Sequence, residues 1–164
     1  MNIRKAISLF SGAVLLGLIF VVLPLLLISL NNYLGLPIYT NTCFKITGLV
    51  FIINGLSVVI YSTVLHIQTG RKTPLPVFEQ PKQFIVHGLY KYCRNPMYLS
   101  EIILFLGLFL LLGHILLLLY PMVAFLIIHM FVVHVEEPEL HRIFGQEYLR
   151  YTTDVPRWIP RLKK

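Results

Sequence analysis

Residues 97–135 read MYLSEIILFLGLFLLLGHILLLLYPMVAFLIIHMFVVHV, a run of thirty-nine in which Glu101 is the single acid and no lysine or arginine occurs. Inside a bilayer the backbone must satisfy its own hydrogen bonds, and a hydrocarbon core about 30 Å thick takes roughly 20 apolar residues of helix. The run is nearly twice that length. Gly113 and His114 interrupt it near the middle, so it reads as two helices folded back on each other through a tight turn.

Two further stretches upstream have the same character. Residues 10–30 contain no charge, and residues 44–65 contain only Lys45, at the helix start where its stem can snorkel outward. The first follows Arg4 and Lys5 and so has the shape of a secretory signal, but its apolar run is too long and lacks a small-residue cleavage pattern; it reads as an uncleaved helix. With 57% hydrophobic and 13% charged residues, the chain is too apolar for a soluble domain. The expectation is an all-α, polytopic membrane protein with about four transmembrane helices, the last two a hairpin. A single domain would span residues 1–164, with two amino-terminal spans in 1–65 and a loop, hairpin and carboxy-terminal helix in 66–164.

The net charge of +7 invites a nucleic-acid reading, but the positions of the cations point elsewhere. Thirteen of the fourteen lysines and arginines fall on one side of the four-span topology, Lys45 being the exception. The positive-inside rule makes that side cytoplasmic, with both chain termini. Cys43 and Cys93 then lie on opposite sides and cannot bridge, and no metal motif is expected.

On the cytoplasmic side, residues 66–95 form the longest polar stretch in the interior of the chain. Pro74, Pro76 and Pro81 oppose a long helix there. After the last span, residues 136–151 remain helical in pattern: Leu140, Phe144, Tyr148 and Tyr151 recur at three- and four-residue intervals, giving an amphipathic helix suited to the membrane interface. Pro156 and Pro160 end it, and Trp158 with Arg157, Arg161, Lys163 and Lys164 is expected to anchor the tail among headgroups.

Two polar clusters abut this face: residues 87–98 and Glu136-Glu137-Pro138-Glu139. A hairpin brings them together, and Pro96 suits the first turn of the third span, where its missing N–H costs nothing. Gly88-Leu89-Tyr90, Arg94-Asn95-Pro96-Met97-Tyr98, the Glu136-Glu137 pair, Phe144-Gly145-Gln146-Glu147-Tyr148 and Val155-Pro156-Arg157 together resemble the isoprenylcysteine carboxyl methyltransferase and phospholipid methyltransferase family. The resemblance covers roughly residues 70–164, and each motif is weak alone.

That resemblance implies an S-adenosylmethionine-dependent methyltransferase acting on a lipidic or lipid-anchored acceptor. It places cofactor contacts on Lys82, Gln83, Phe84, Ile85, Tyr90, Asn95, Pro96, Met97, Tyr98 and Glu136, with Arg94 a partner for the cofactor carboxylate. His129, seven residues before Glu136 and so on the same helical face, Val132 and Arg157 are the candidate substrate contacts. The family's Arg-His-Pro motif carries Asn95 here, as in a bacterial subset that the chain resembles. Val132 stands where the prenylcysteine enzymes have an arginine, which argues against prenylcysteine as the acceptor. Methyl transfer requires alignment of donor and acceptor rather than a triad or metal, and no general base is assigned.

Plainer readings stand beside these. Glu136 and Glu137 also fit a solvated acidic pair, and His129 an interhelical hydrogen bond. Asn54, Ser57 and Tyr61 form a polar stripe on the second span, read as packing glue rather than a transport path. The alternatives to an enzyme are a small transporter, or a non-catalytic membrane partner dimerising through glycine faces such as Gly48 and Gly55.

Overall fold

The computed structural model describes residues 18–69 and 85–161. Among them all regular elements are helical and no strand forms. A π-helical turn, Leu18–Val22, runs into α1 (Leu23–Tyr33); α2 (Thr42–Gln68) follows, then a 3-10 turn at Gly88–Lys91, α3 (Pro96–Leu112) and α4 (Leu116–Phe131). A second π-helical turn, Val132–Glu136, joins α4 to α5 (Glu137–Asp154).

Local chemistry sets the helix limits. The Asn41 side chain caps α2 by accepting the Phe44 N–H at 2.8 Å. Pro96 opens α3 as expected, and Gly113 closes it at φ 75°, its N–H donating to the Phe109 carbonyl at 2.7 Å. A Cβ at Gly113 would strike the Tyr39 carbonyl, so this turn admits no other residue without rearrangement. The expected hairpin of α3 and α4 is thus present.

Two apolar helices reach membrane-crossing length: Thr42–Gln68, and the continuous run Leu116–Asp154 that includes α4 and α5. Leu18–Tyr33 and Pro96–Leu112 are apolar but shorter. The outer faces of the long helices are apolar and exposed, with Ile53, Ile60, Leu126 and Ile127 each more than half accessible. Such surface is costly in water and stable against lipid.

The most extensive helix contact joins α2 to α3. Gly48 and Gly55 of α2 are buried against Gly107, Leu104 and Ser100 of α3, and a Cβ at Gly48 would come within 2.6 Å of the Leu111 backbone nitrogen. Small residues bring the two backbones together, which is how helices pack where no hydrophobic drive separates them from solvent. The glycine face considered for dimerisation is therefore filled within the chain. The polar stripe is also reassigned: Asn54 and Ser57 face outward and donate to their own helix, to the Val50 and Ile53 carbonyls at 2.8 Å each.

Polar groups tie the two hairpins together at the end remote from the acidic cluster. Buried Asn31 accepts the Leu116 N–H through Oδ1 at 3.1 Å, and Tyr39 donates its N–H to the Gly113 carbonyl at 2.8 Å. The α1–α2 loop and the α3–α4 turn thus share one end, and the polar clusters share the other. Leu104, Phe105 and Tyr120 form the apolar core between them, against which Phe20 packs.

Candidate functional site

The segment leading into α3 and the acidic exit of α4 enclose one cleft. Its walls combine His66 from the end of α2, Ile85 and Tyr90, then Arg94, Asn95, Met97 and Tyr98, and finally Val132, Glu136, Glu137, Leu140, Tyr148 and Tyr151. Its cavity volume is about 60 Å³, within a cleft that opens to the outside.

Backbone irregularities aim these side chains. The π-helical turn at Val132–Glu136 changes the rotation of the chain between α4 and α5, so that Val132, 1% exposed, and Glu136 face the same space. Gly145 sits inside α5 at φ 52° and ψ −125°, a conformation open in practice to glycine alone. The helix breaks direction there, and Tyr148 and Tyr151 turn back into the cleft. The face expected to lie on the membrane interface thus contributes Leu140, Tyr148 and Tyr151 to a wall of the site.

Glu137 is the electrostatic centre. Arg157 donates to it twice, Nε to Oε1 at 2.7 Å and Nη2 to Oε2 at 2.8 Å, while Arg94 Nη1 lies 2.9 Å from Oε1. These are charge-assisted contacts in a partly buried setting, where each is stronger than a surface pair. The Arg157 guanidinium is held above its ordinary pKa by the hydrogen bond with Glu137. Arg94 Nε, buried beside the cleft, meets no acceptor among the described residues.

The carboxy-terminal tail is fastened to the residues before α3. Arg94 N–H donates to the Pro156 carbonyl at 2.9 Å, Arg161 N–H to the Tyr92 carbonyl at 3.0 Å, and Asn95 Nδ2 to the Arg157 carbonyl at 3.1 Å. The Cys93 thiol donates to the carbonyls of Arg157 and Trp158. Burial pushes that thiol's pKa up, against smaller lowering effects of Asn95 and Arg94, so it stays protonated. Trp158 donates Nε1 to His129 Nδ1 at 3.0 Å and packs on Phe125. The tail residues Arg157 and Trp158, expected among headgroups, are engaged within the protein instead.

Of the predicted cofactor residues, Ile85, Tyr90, Arg94, Asn95, Met97, Tyr98 and Glu136 line the cleft. Pro96 is buried and starts α3 without lining it, and Lys82, Gln83 and Phe84, also expected there, lie outside the described residues. Among the substrate candidates, Val132 lines the cleft. His129 is turned to Trp158 rather than into the cleft or across to another helix, and Arg157 borders a neighbouring depression with His141 and Thr152. His66, Glu137, Leu140, Tyr148 and Tyr151 were missed as lining residues. The signals for the last three were the aromatic periodicity assigned to a membrane face and, for Tyr148, its place in the Phe144-Gly145-Gln146-Glu147-Tyr148 motif.

Tyr148 is pushed up to about 12, first by burial and then by the charge of Glu137, and Tyr151 is raised further by burial. Both phenols are therefore neutral donors at any physiological pH. Arg94, Glu136 and Glu137 supply the formal charges on the described wall, and Glu137 is shared between two arginines.

An all-helical, membrane-associated chain with a polar cleft at one end of its helices defines a class of membrane methyltransferase when its sequence is set beside known families. The family model described as phospholipid methyltransferase matches residues 43–147, from the start of α2 through the kinked part of α5. That is well over half of the chain, which belongs to the phospholipid methyltransferase family. No curated protein matches it.

Proposed function

We propose that the chain transfers a methyl group from S-adenosylmethionine to a lipidic or lipid-anchored acceptor, and that the cleft between α2, α3 and α5 holds the cofactor. The observation that carries this reading is the convergence of Arg94, Tyr98, Glu136 and Tyr148 on one space from two polar segments about forty residues apart in sequence. The donor set fits the group. Buried Arg94 Nε, without an acceptor among the described residues, suits a carboxylate; Glu136 suits ribose hydroxyls or an ammonium; the rings of Tyr90, Tyr98 and Tyr148 suit a purine and a sulfonium cation.

When bound, S-adenosylmethionine supplies an electrophilic methyl carbon on sulfur. The protein's part is then to bind, align and exclude water. Ile85, Met97, Val132 and Leu140 give the apolar surface for that exclusion, and the Glu137 ion pairs hold Arg94 in place. Within this reading four helices cross the bilayer, with the cleft at the cytoplasmic face beside thirteen of fourteen cations and the acceptor approaching from the inner leaflet. Lys82, Gln83 and Phe84 are assigned to the same cofactor surface on the family resemblance.

Incubation of the purified chain with lipid extract and methyl-labelled S-adenosylmethionine, followed by mass spectrometry, tests the proposal. A labelled lipid product is expected; folded protein that neither binds the cofactor nor labels any lipid refutes it.

A further inference from the structure

His66 is a buried titratable side chain to which the cofactor reading gives no task. It occupies the last turn of α2, is 7% exposed, and lines the cleft beside Tyr90. Its Nε2 lies 2.8 Å from the Tyr90 hydroxyl, with the rings edge to face at 5.6 Å. Tyr90 is itself fixed. Gly88 sets the 3-10 turn at φ 62°, where a Cβ would strike the Tyr61 hydroxyl, and the Tyr151 hydroxyl donates to the Tyr90 carbonyl at 2.8 Å. Phenol and imidazole are thus held in register at the wall of a site whose proposed reaction has no assigned base.

We propose that His66 and Tyr90 form a proton-accepting pair for an acceptor nitrogen that enters as an ammonium; the inference rests on the methyltransferase reading above. The Tyr90 oxygen takes the ammonium proton as its own proton passes to His66 Nε2, leaving an imidazolium and a neutral amine. The amine lone pair forms the new N–CH3 bond while the S–CH3 bond breaks, its electron pair staying on sulfur. The product leaves as a methylated ammonium, and His66 returns its proton to solvent. The carbonyl end of α2 carries partial negative charge that accommodates the imidazolium. A carboxylate or thiolate acceptor would give this pair nothing to do.

The other titratable groups facing the pair from the described elements are Arg94, Tyr98, Glu136, Glu137, Tyr148 and Tyr151. Glu137 is committed to two arginines, and the phenols of Tyr148 and Tyr151 are held neutral. Glu136 is the other carboxylate on that wall, which makes Glu136→Gln the necessary comparison.

The test uses the full chain with methyl-labelled cofactor, vesicles of phosphatidylethanolamine, and amine-free vesicles of phosphatidylglycerol. Transfer is followed from about pH 6 to about pH 9, the window in which a histidine titrates, for wild type, His66→Gln, Tyr90→Phe and Glu136→Gln. Calorimetry with S-adenosylhomocysteine runs alongside. His66→Gln is expected to keep cofactor affinity within about twofold, and both it and Tyr90→Phe to lose about 100-fold or more in transfer to the amine lipid and to lack the acid limb of the wild-type profile. The pair is ruled out if His66→Gln keeps both rate and acid limb, if its cofactor affinity falls in step with its rate, or if wild type labels amine-free vesicles equally well. A wild type that binds no S-adenosylhomocysteine overturns the underlying methyltransferase reading instead.

Discussion

Arg157 and Glu137, twenty residues apart, meet through two parallel hydrogen bonds of 2.7 and 2.8 Å, and the same carboxylate holds Arg94 at 2.9 Å. One side chain at the start of α5 therefore links the carboxy-terminal tail to the segment that begins α3. Both arginines depend on it.

Glu137→Ala is expected to release the tail and cost about 2 kcal/mol, since it leaves two partly buried cations without their acceptor. Trp158 is the sole tryptophan, so its fluorescence reports the event directly. The expected results are a red-shifted emission and faster tryptic cleavage at Arg157 in detergent. Unchanged emission and cleavage would show that the tail is held by its other contacts, with Tyr92, Cys93, Arg94, Asn95 and His129.

Gly145→Ala places a Cβ on a residue at φ 52° and ψ −125°. Space is not the obstacle, because nothing lies within 4 Å of the added carbon. Backbone strain is, at about 1–3 kcal/mol. If the strain is relieved by straightening α5, Tyr148 and Tyr151 leave the cleft and cofactor affinity falls more than global stability. Chemical denaturation and calorimetry on one preparation separate these effects.

Gly48→Val tests the helix packing. The added carbon meets backbone atoms of Leu111 and Gly107 at 2.6 and 2.8 Å, so α2 and α3 must move apart. The loss is expected to reach about 1–3 kcal/mol, read as a lowered midpoint of thermal unfolding in detergent, without a change in Trp158 emission before unfolding. A variant as stable as wild type would mean that α2 and α3 are not so closely apposed.

Tyr148 gives a dependence on alkaline pH. Its phenol ionises near the ordinary value of 10 in the unfolded chain and near 12 in the folded one. Between those values the unfolded state binds fewer protons, so stability falls as pH rises from 10 towards 12. Tyr148→Phe removes that share of the decline, which denaturation at several alkaline pH values measures; an identical slope in the variant would place the phenol in contact with water.

Much of the architecture was legible because apolar length and turn chemistry are local signals. The break at Gly113, the start at Pro96 and the meeting of residues 87–98 with Glu136 all follow from a hairpin written into residues 97–135. The two long helices were legible for the same reason, and α3 ends at Leu112, where the break at Gly113 was expected. What could not be read is what depends on contacts distant in sequence. Glu137 resembled a solvated acid because its partner Arg94 lies 43 residues away, and His66 ended a helix with nothing nearby to mark it. The kink at Gly145 redirects the face that periodicity had assigned to the membrane. Asn95 uses its amide to hold the tail, a role that no motif spacing reveals.

The central claim is that the cleft shared by Tyr98 and Glu136 is the cofactor site. Calorimetric titration of the detergent-solubilised chain with S-adenosylhomocysteine tests it most directly. Wild type is predicted to bind, and Glu136→Ala, which deletes one polar contact, to bind about tenfold or more weakly at unchanged helical content. Equal affinity in the variant, or no binding by folded wild type, would contradict the account.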